Sequence, residues 1–247
     1  MAQFFIYDYT GNPFILFGKW HLVALAVIVM INFFMLFFRK ASVQTRTTVR
    51  WVMAIILWVN ETAWHVWNIY WGHWTISTML PLHICSIMVW LSGFMLVFKN
   101  YRIYEFAYFI GIGGALQAIL TPDAGIYGFP HFRVFQTFIA HGLIIISAIY
   151  MTTVEGFRPT WKSMLRVIVG LNIYAAIIFP INLLLKTDYL FINGKPPTAS
   201  LLDLLPPWPY YIFFMELIGF ALFLILYLPF IIKDFRNRKK PIEALAD

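Results

Sequence analysis

Apolar residues run along this chain in long blocks, with short polar segments between them. About 20 apolar residues in a helix cross roughly 30 Å of hydrocarbon. Seven blocks approach that length: 20–38, 49–70, 79–98, 103–120, 132–151, 164–185 and 209–232. The pattern predicts an all-α polytopic membrane protein, a seven-transmembrane-helix bundle forming one domain over 1–247. In the fourth block Gly111/Ala115 and Gly114/Ala118 are small-xxx-small pairs. Such pairs let helix backbones approach closely, so this helix is expected near the centre.

Composition agrees with the pattern. The chain is 61% hydrophobic and 12% charged, with mean hydropathy +0.76, whereas soluble domains carry about 25% charged residues. No cleavable leader is visible, because the first 18 residues lack a basic stretch. Charge adds a direction. Of the 18 Lys and Arg residues, 14 fall at one end: Arg39, Lys40, Arg46, Arg50, Lys99, Arg102, Arg158, Lys162, Arg166, Lys233, Arg236, Arg238, Lys239 and Lys240. Lys19, Arg133, Lys186 and Lys195 fall at the other. Basic loops stay in the cytoplasm. The N-terminus is therefore expected outside and the C-terminus inside, in a bacterial plasma membrane. The net charge of +7 reads as topology and headgroup contact along 233–240, not as nucleic-acid binding. Between the last two blocks a long loop contains Asn193-Gly194 and several prolines, which suit an ordered lid or an interfacial belt.

Polar residues inside the blocks share one layer. At about 1.5 Å per residue, Cys85 lies ~9 Å and His141 ~13 Å below the outer surface, with Glu61 at similar depth. His65, Gln117, Asn182 and Glu216 also fall in outer halves, and all six histidines lie toward that side. Polar groups in hydrocarbon must pair or line a cavity. A shared outer-half cavity is one account, and an interhelical hydrogen-bond layer is the other.

Cys85 is the sole cysteine and sits in Leu80-Pro81-Leu82-His83-Ile84-Cys85-Ser86. A thiol needs a base to become a nucleophile. On a regular helix His83 would lie roughly 160° from Cys85. The base is thus expected from another helix: His141 first, with His65, oriented by Glu61 at i,i+4, in reserve. Glu216 could balance charge near either.

The stretches Leu80–Cys85, Gly111-Ile-Gly-Gly-Ala-Leu-Gln117 through Thr121-Pro-Asp123, His141-Gly142, Asn182 and Leu201-Leu-Asp-Leu-Leu-Pro-Pro-Trp-Pro209 occur in order. On these the sequence resembles the YwaF-like family of bacterial integral membrane proteins nearly end to end. It is more distantly similar to a eukaryotic transmembrane acyltransferase that remodels ether phospholipids. The resemblance implies Cys85 as nucleophile and His141 as base, with His83 in the same motif.

The leading expectation is a membrane lipid-acyl enzyme, a phospholipid acyltransferase or acyl hydrolase. Its catalytic residues would be Cys85, His141 and His83. Gln117, Asn182, Ser86, Glu61, His65 and Glu216 would bind substrate or oxyanion. No cofactor is called for, and the partner is a membrane phospholipid or lysophospholipid entering from the outer leaflet. Two alternatives stand beside it. One is a transporter or receptor with a polar outer cavity. The other is a zinc-dependent lipid hydrolase using His65, His83 and His141, whose spacing gives only a weak metal signal.

Overall fold

Capping residues and prolines cut the apolar blocks into ten α-helices among the residues that the computed structural model describes, 2–195 and 201–243. In order they are α1 (Ala2–Phe5), α2 (Lys19–Met35), α3 (Val43–Tyr70), α4 (Ile76–Met79), α5 (Ile84–Phe98), α6 (Tyr101–Phe106), α7 (Ile112–Leu120), α8 (Phe132–Thr153), α9 (Trp161–Leu185) and α10 (Tyr210–Glu243). A 3-10 turn, Leu36–Lys40, extends α2. A wide five-residue π turn, Ala107–Gly111, joins α6 to α7. Starts follow side-chain chemistry. Ser42 accepts the Thr45 N–H, Asn100 accepts those of Arg102 and Ile103, and Thr160 with Ser163 forms a reciprocal capping box.

Five stretches are long and apolar enough to cross a membrane: Lys19–Lys40, Tyr101–Leu120, Phe132–Thr153, Trp161–Leu185 and Tyr210–Arg236. The chain is thus an all-α polytopic membrane protein. The other two expected spans are helices that miss this test for opposite reasons. The 28-residue α3 is long enough but carries Arg46, Arg50, Asn60, Glu61 and Asn68. The apolar α5 has only 15 residues, about 22 Å of helix. Its expected start at 79 moves to Ile84 because Pro81 holds Leu80 in extended backbone. His83 is consequently the residue capping α5, outside the helix, and the angle expected between it and Cys85 on a regular helix does not apply.

Burial separates centre from rim. In the most apolar window, 72% of α8 and 56% of the α6–α7 stretch are buried, against 11%, 17% and 6% for α2, α9 and α10. The small-residue stripe on α7 lies in that centre. A Cβ at Gly111 would meet Ile144 of α8 and Met88 of α5.

Each end is tied differently. At the basic end buried Arg50 donates to the Leu96 carbonyl at 2.7 Å and approaches Glu155 at 3.4 Å. Lys99 closes on the same carboxylate at 2.6 Å. Nearby, buried Glu105 accepts from Arg166 and Ser163 of α9. At the far end the N-terminal segment lies across the bundle as a strap held by its carbonyls. Phe5 O accepts from Trp67 and Trp71, Ile6 O from His131, and Tyr7 O from Tyr127. The loop after α9 docks there too, through Tyr189 to the Leu80 N–H and the Ile76 carbonyl. The prolines at 196 and 197, and the side chains along 237–240, lie outside the described residues.

Candidate functional site

The first turn of α5 is the chemical centre of the far half. Cys85 is its second residue, partly accessible. The opening N–H groups of a helix have no acceptor within it. Here His83 makes no side-chain cap, and the first backbone bond is Ile87 N–H to the His83 carbonyl at 3.1 Å. The N–H groups of Ile84, Cys85 and Ser86 therefore have no protein acceptor among the described residues. Gly114 of α7 faces the thiol, and a Cβ there would lie 4.0 Å from Sγ. Any larger side chain would encroach on that sulfur.

Two helices, α3 and α8, bring polar groups toward this turn. Glu61 of α3 is buried and lies within electrostatic range of Cys85. His65, one turn on, approaches Glu61 at 3.7 Å and accepts the Trp74 indole N–H at Nδ1, 3.1 Å away. On α8, Arg133 donates to Gln136 at 2.6 Å and stacks over Trp64, 4.1 Å from its ring centre. Its charge acts on both Glu61 and His141. Asn60 donates to the Gln136 carbonyl at 3.1 Å, so α3 and α8 are pinned at this level. Cys85 makes no hydrogen bond to an imidazole among the described residues.

Histidine tautomers sort the candidate bases. A carbonyl only accepts, so a ring nitrogen facing one must carry a proton. His141 Nδ1 lies 2.8 Å from the Thr137 carbonyl, which leaves Nε2 with its lone pair. His83 is the reverse. Its Nδ1 accepts the Leu190 N–H at 3.4 Å, so in the neutral ring Nε2 is the donor. His65 also spends its Nδ1 lone pair, on Trp74. Of these three rings His141 alone offers a free basic nitrogen.

The remaining candidates are dispersed. Asn182 is buried but committed to the loop after α9. It donates to the Tyr189 carbonyl and Asn193, and accepts from Thr187 and the Tyr189 N–H, at 2.6–2.9 Å. His83 packs between Tyr189 and Phe191. Gln117 and Glu216 are exposed and make no side-chain hydrogen bond or ion pair among the described residues. Ser86 is half-buried beside Cys85. The histidines named for zinc do not converge: among the described residues no three His, Cys, Asp or Glu side chains form a metal-holding group.

Arg133, Asn60 and Gln136 escaped the sequence reading. Arg133 counted there only toward the charge of the less basic end, although Arg133, Gln136, Thr137 and His141 recur at one-face helical spacing.

The sequence model of the TMEM164 family matches residues 16–227. No curated protein and no solved structure matches the chain.

Proposed function

With the chain a member of the TMEM164 family across 16–227, we propose that it is a seven-span lipid-acyl enzyme of a bacterial plasma membrane, with Cys85 as nucleophile. The observation that carries this reading is the position of the sole thiol in the first turn of α5. There the N–H groups of Cys85 and Ser86 are uncommitted, and the helix dipole favours developing negative charge. The Pro-Leu-His-x-Cys resemblance to a phospholipid acyltransferase points the same way.

In this reading Sγ attacks the ester carbonyl of a phospholipid while His141 Nε2 takes the thiol proton. The carbonyl oxygen becomes an oxyanion on the free N–H groups. Collapse breaks the ester C–O bond, and the protonated imidazole returns its proton to the departing lysophospholipid hydroxyl. The acceptor hydroxyl, or water, then attacks the thioester while His141 takes its proton; the C–S bond breaks and the imidazolium returns the proton to the departing Cys85 sulfur, which restores the thiol. A side-chain rearrangement on substrate binding must bring Sγ and Nε2 together, as catalytic hydrogen bonds often tighten only in the complex. Arg133 and the Glu61–His65 pair position and balance the site.

The test uses a phospholipid with an alkyne-tagged acyl chain and the full protein in vesicles. Wild type acquires a hydroxylamine-sensitive acyl label, Cys85→Ala acquires none, and His141→Gln acquires it at least tenfold more slowly. Equal labelling of Cys85→Ala and wild type overturns the proposal.

A further inference from the structure

α9 is hydrogen-bonded to the bundle at two places. At the basic end Arg166 and Ser163 hold the Glu105 carboxylate of α6. Toward the far end Tyr174 donates to the Leu82 carbonyl at 2.9 Å. Between these clasps lies a cleft of about 360 Å³, walled by Ile84, Ile87 and Leu91 of α5, Ile110 of the π turn and Leu171 of α9. Packed interiors leave few voids larger than a water molecule, and an apolar cavity less than half this size already takes up benzene. At Gly170 a Cβ would sit 2.6 Å from the Phe106 ring, so this glycine leaves that ring its place in the cleft wall.

The cleft has a cationic mouth at the basic end. Arg102, its side chain 69% exposed, borders it and reaches Glu105 at 3.5 Å. Two arginines thus share one carboxylate, which leaves one net positive charge at the mouth. From Ile84 to Leu91 the wall rises about 10 Å, so a chain entering at the Arg102 mouth runs past the middle of a roughly 30 Å hydrocarbon core toward the first turn of α5. At the other end the Tyr174 hydroxyl is already spent on Leu82.

We propose that this cleft binds one acyl chain of an anionic phospholipid from the leaflet at the basic end, with its phosphate on Arg102 and Arg166. The site does not rest on the chemistry assigned to Cys85. Met88 belongs to both regions: it lines the cleft and packs at Gly111, one turn from the Gly114–Cys85 contact.

The test places the full chain in phosphatidylcholine vesicles doped with phosphatidylglycerol carrying a diazirine midway along one acyl chain. After illumination, adducts are expected to concentrate on residues 84–91, 103–110 and 170–174. Leu91→Trp and Ile87→Trp, each checked for unchanged thermal unfolding, should reduce them at least fivefold by filling the cleft. Arg102→Gln should reduce capture of the phosphatidylglycerol probe severalfold but leave capture of the matching phosphatidylcholine probe unchanged. Cys85→Ala should change none of this, which separates the proposal from the acyl-enzyme reading. Adducts spread evenly over α2 and α10, or insensitive to both Trp variants, overturn the site. Equal capture of both headgroups in wild type overturns the anionic occupant.

Discussion

His131 has both ring nitrogens committed, and this makes it a sensor of acid. Its Nε2–H donates to the Ile6 carbonyl at 2.9 Å, while Nδ1 accepts the Arg133 N–H at 3.1 Å. Burial holds the ring below the ordinary 6.5, opposed by the Ile6 bond and reinforced by the Arg133 charge. A freed ring therefore takes up its proton at higher pH than the docked one. The stabilisation is complete above about pH 6.5 and is lost as pH falls. Amide exchange of residues 4–9, corrected for its intrinsic pH dependence, should accelerate between pH 7 and pH 5. In His131→Gln it should not change with pH, and strap protection that grows on acidification would sink the idea. Single residues were legible in the sequence only where spacing spoke for them. Glu61 and His65, four apart on one helix, pair as their spacing implies. Asn182 looked like a catalytic amide because it sits in an apolar helix. Its four side-chain hydrogen bonds go to Thr187, Tyr189 and Asn193, a local clasp that no helical period announces.

Among the elements, α3 and α5 depend most on a buried charge. Arg50 leaves α3, covers the last carbonyls of α5 and faces Glu155 beyond α8. A cation at a helix C-terminus meets the negative end of its dipole. Arg50→Met would keep the volume but leave the Leu96 carbonyl without its donor and Glu155 with Lys99 alone. Removing one member of a buried pair costs about 3–5 kcal/mol. A fall in thermal stability on that scale is expected, with faster exchange at the C-terminal end of α5. A change below about 0.5 kcal/mol, the range of ordinary surface substitutions, would show the clasp to be incidental. Hydropathy located every long helix, since lipid-length apolar runs have few other structures open to them. It overran the start of α5, where Pro81 outweighs the apolar character of its neighbours. It was also blind to the π turn, which changes hydrogen-bond register without changing composition.

Across the whole molecule, charge is segregated. The basic end carries the clasps at Arg50, Glu105 and Arg158, whose guanidinium meets Asp234 at 2.6 Å. The carboxylate holds the Arg158 charge more firmly than usual. The histidines gather at the other end. A cytoplasm-active reporter fused after Asp247 should work, and the same reporter inserted after Lys186 should not. The opposite pair of results reverses the orientation.

The π turn Ala107–Gly111 has a consequence at this scale. A wide turn is a one-residue insertion absorbed inside a helix. It lets α6 keep the phase that aims Glu105 at α9, while α7 keeps a different phase that aims Gly114 at Cys85. In a regular helix one rotation would serve both, and turning the stripe toward the thiol would swing the carboxylate off its arginines. The extra residue works like a vernier between two scales. Deleting one residue within 107–111 would therefore cost the bundle either the carboxylate clasp or the glycine beside the thiol.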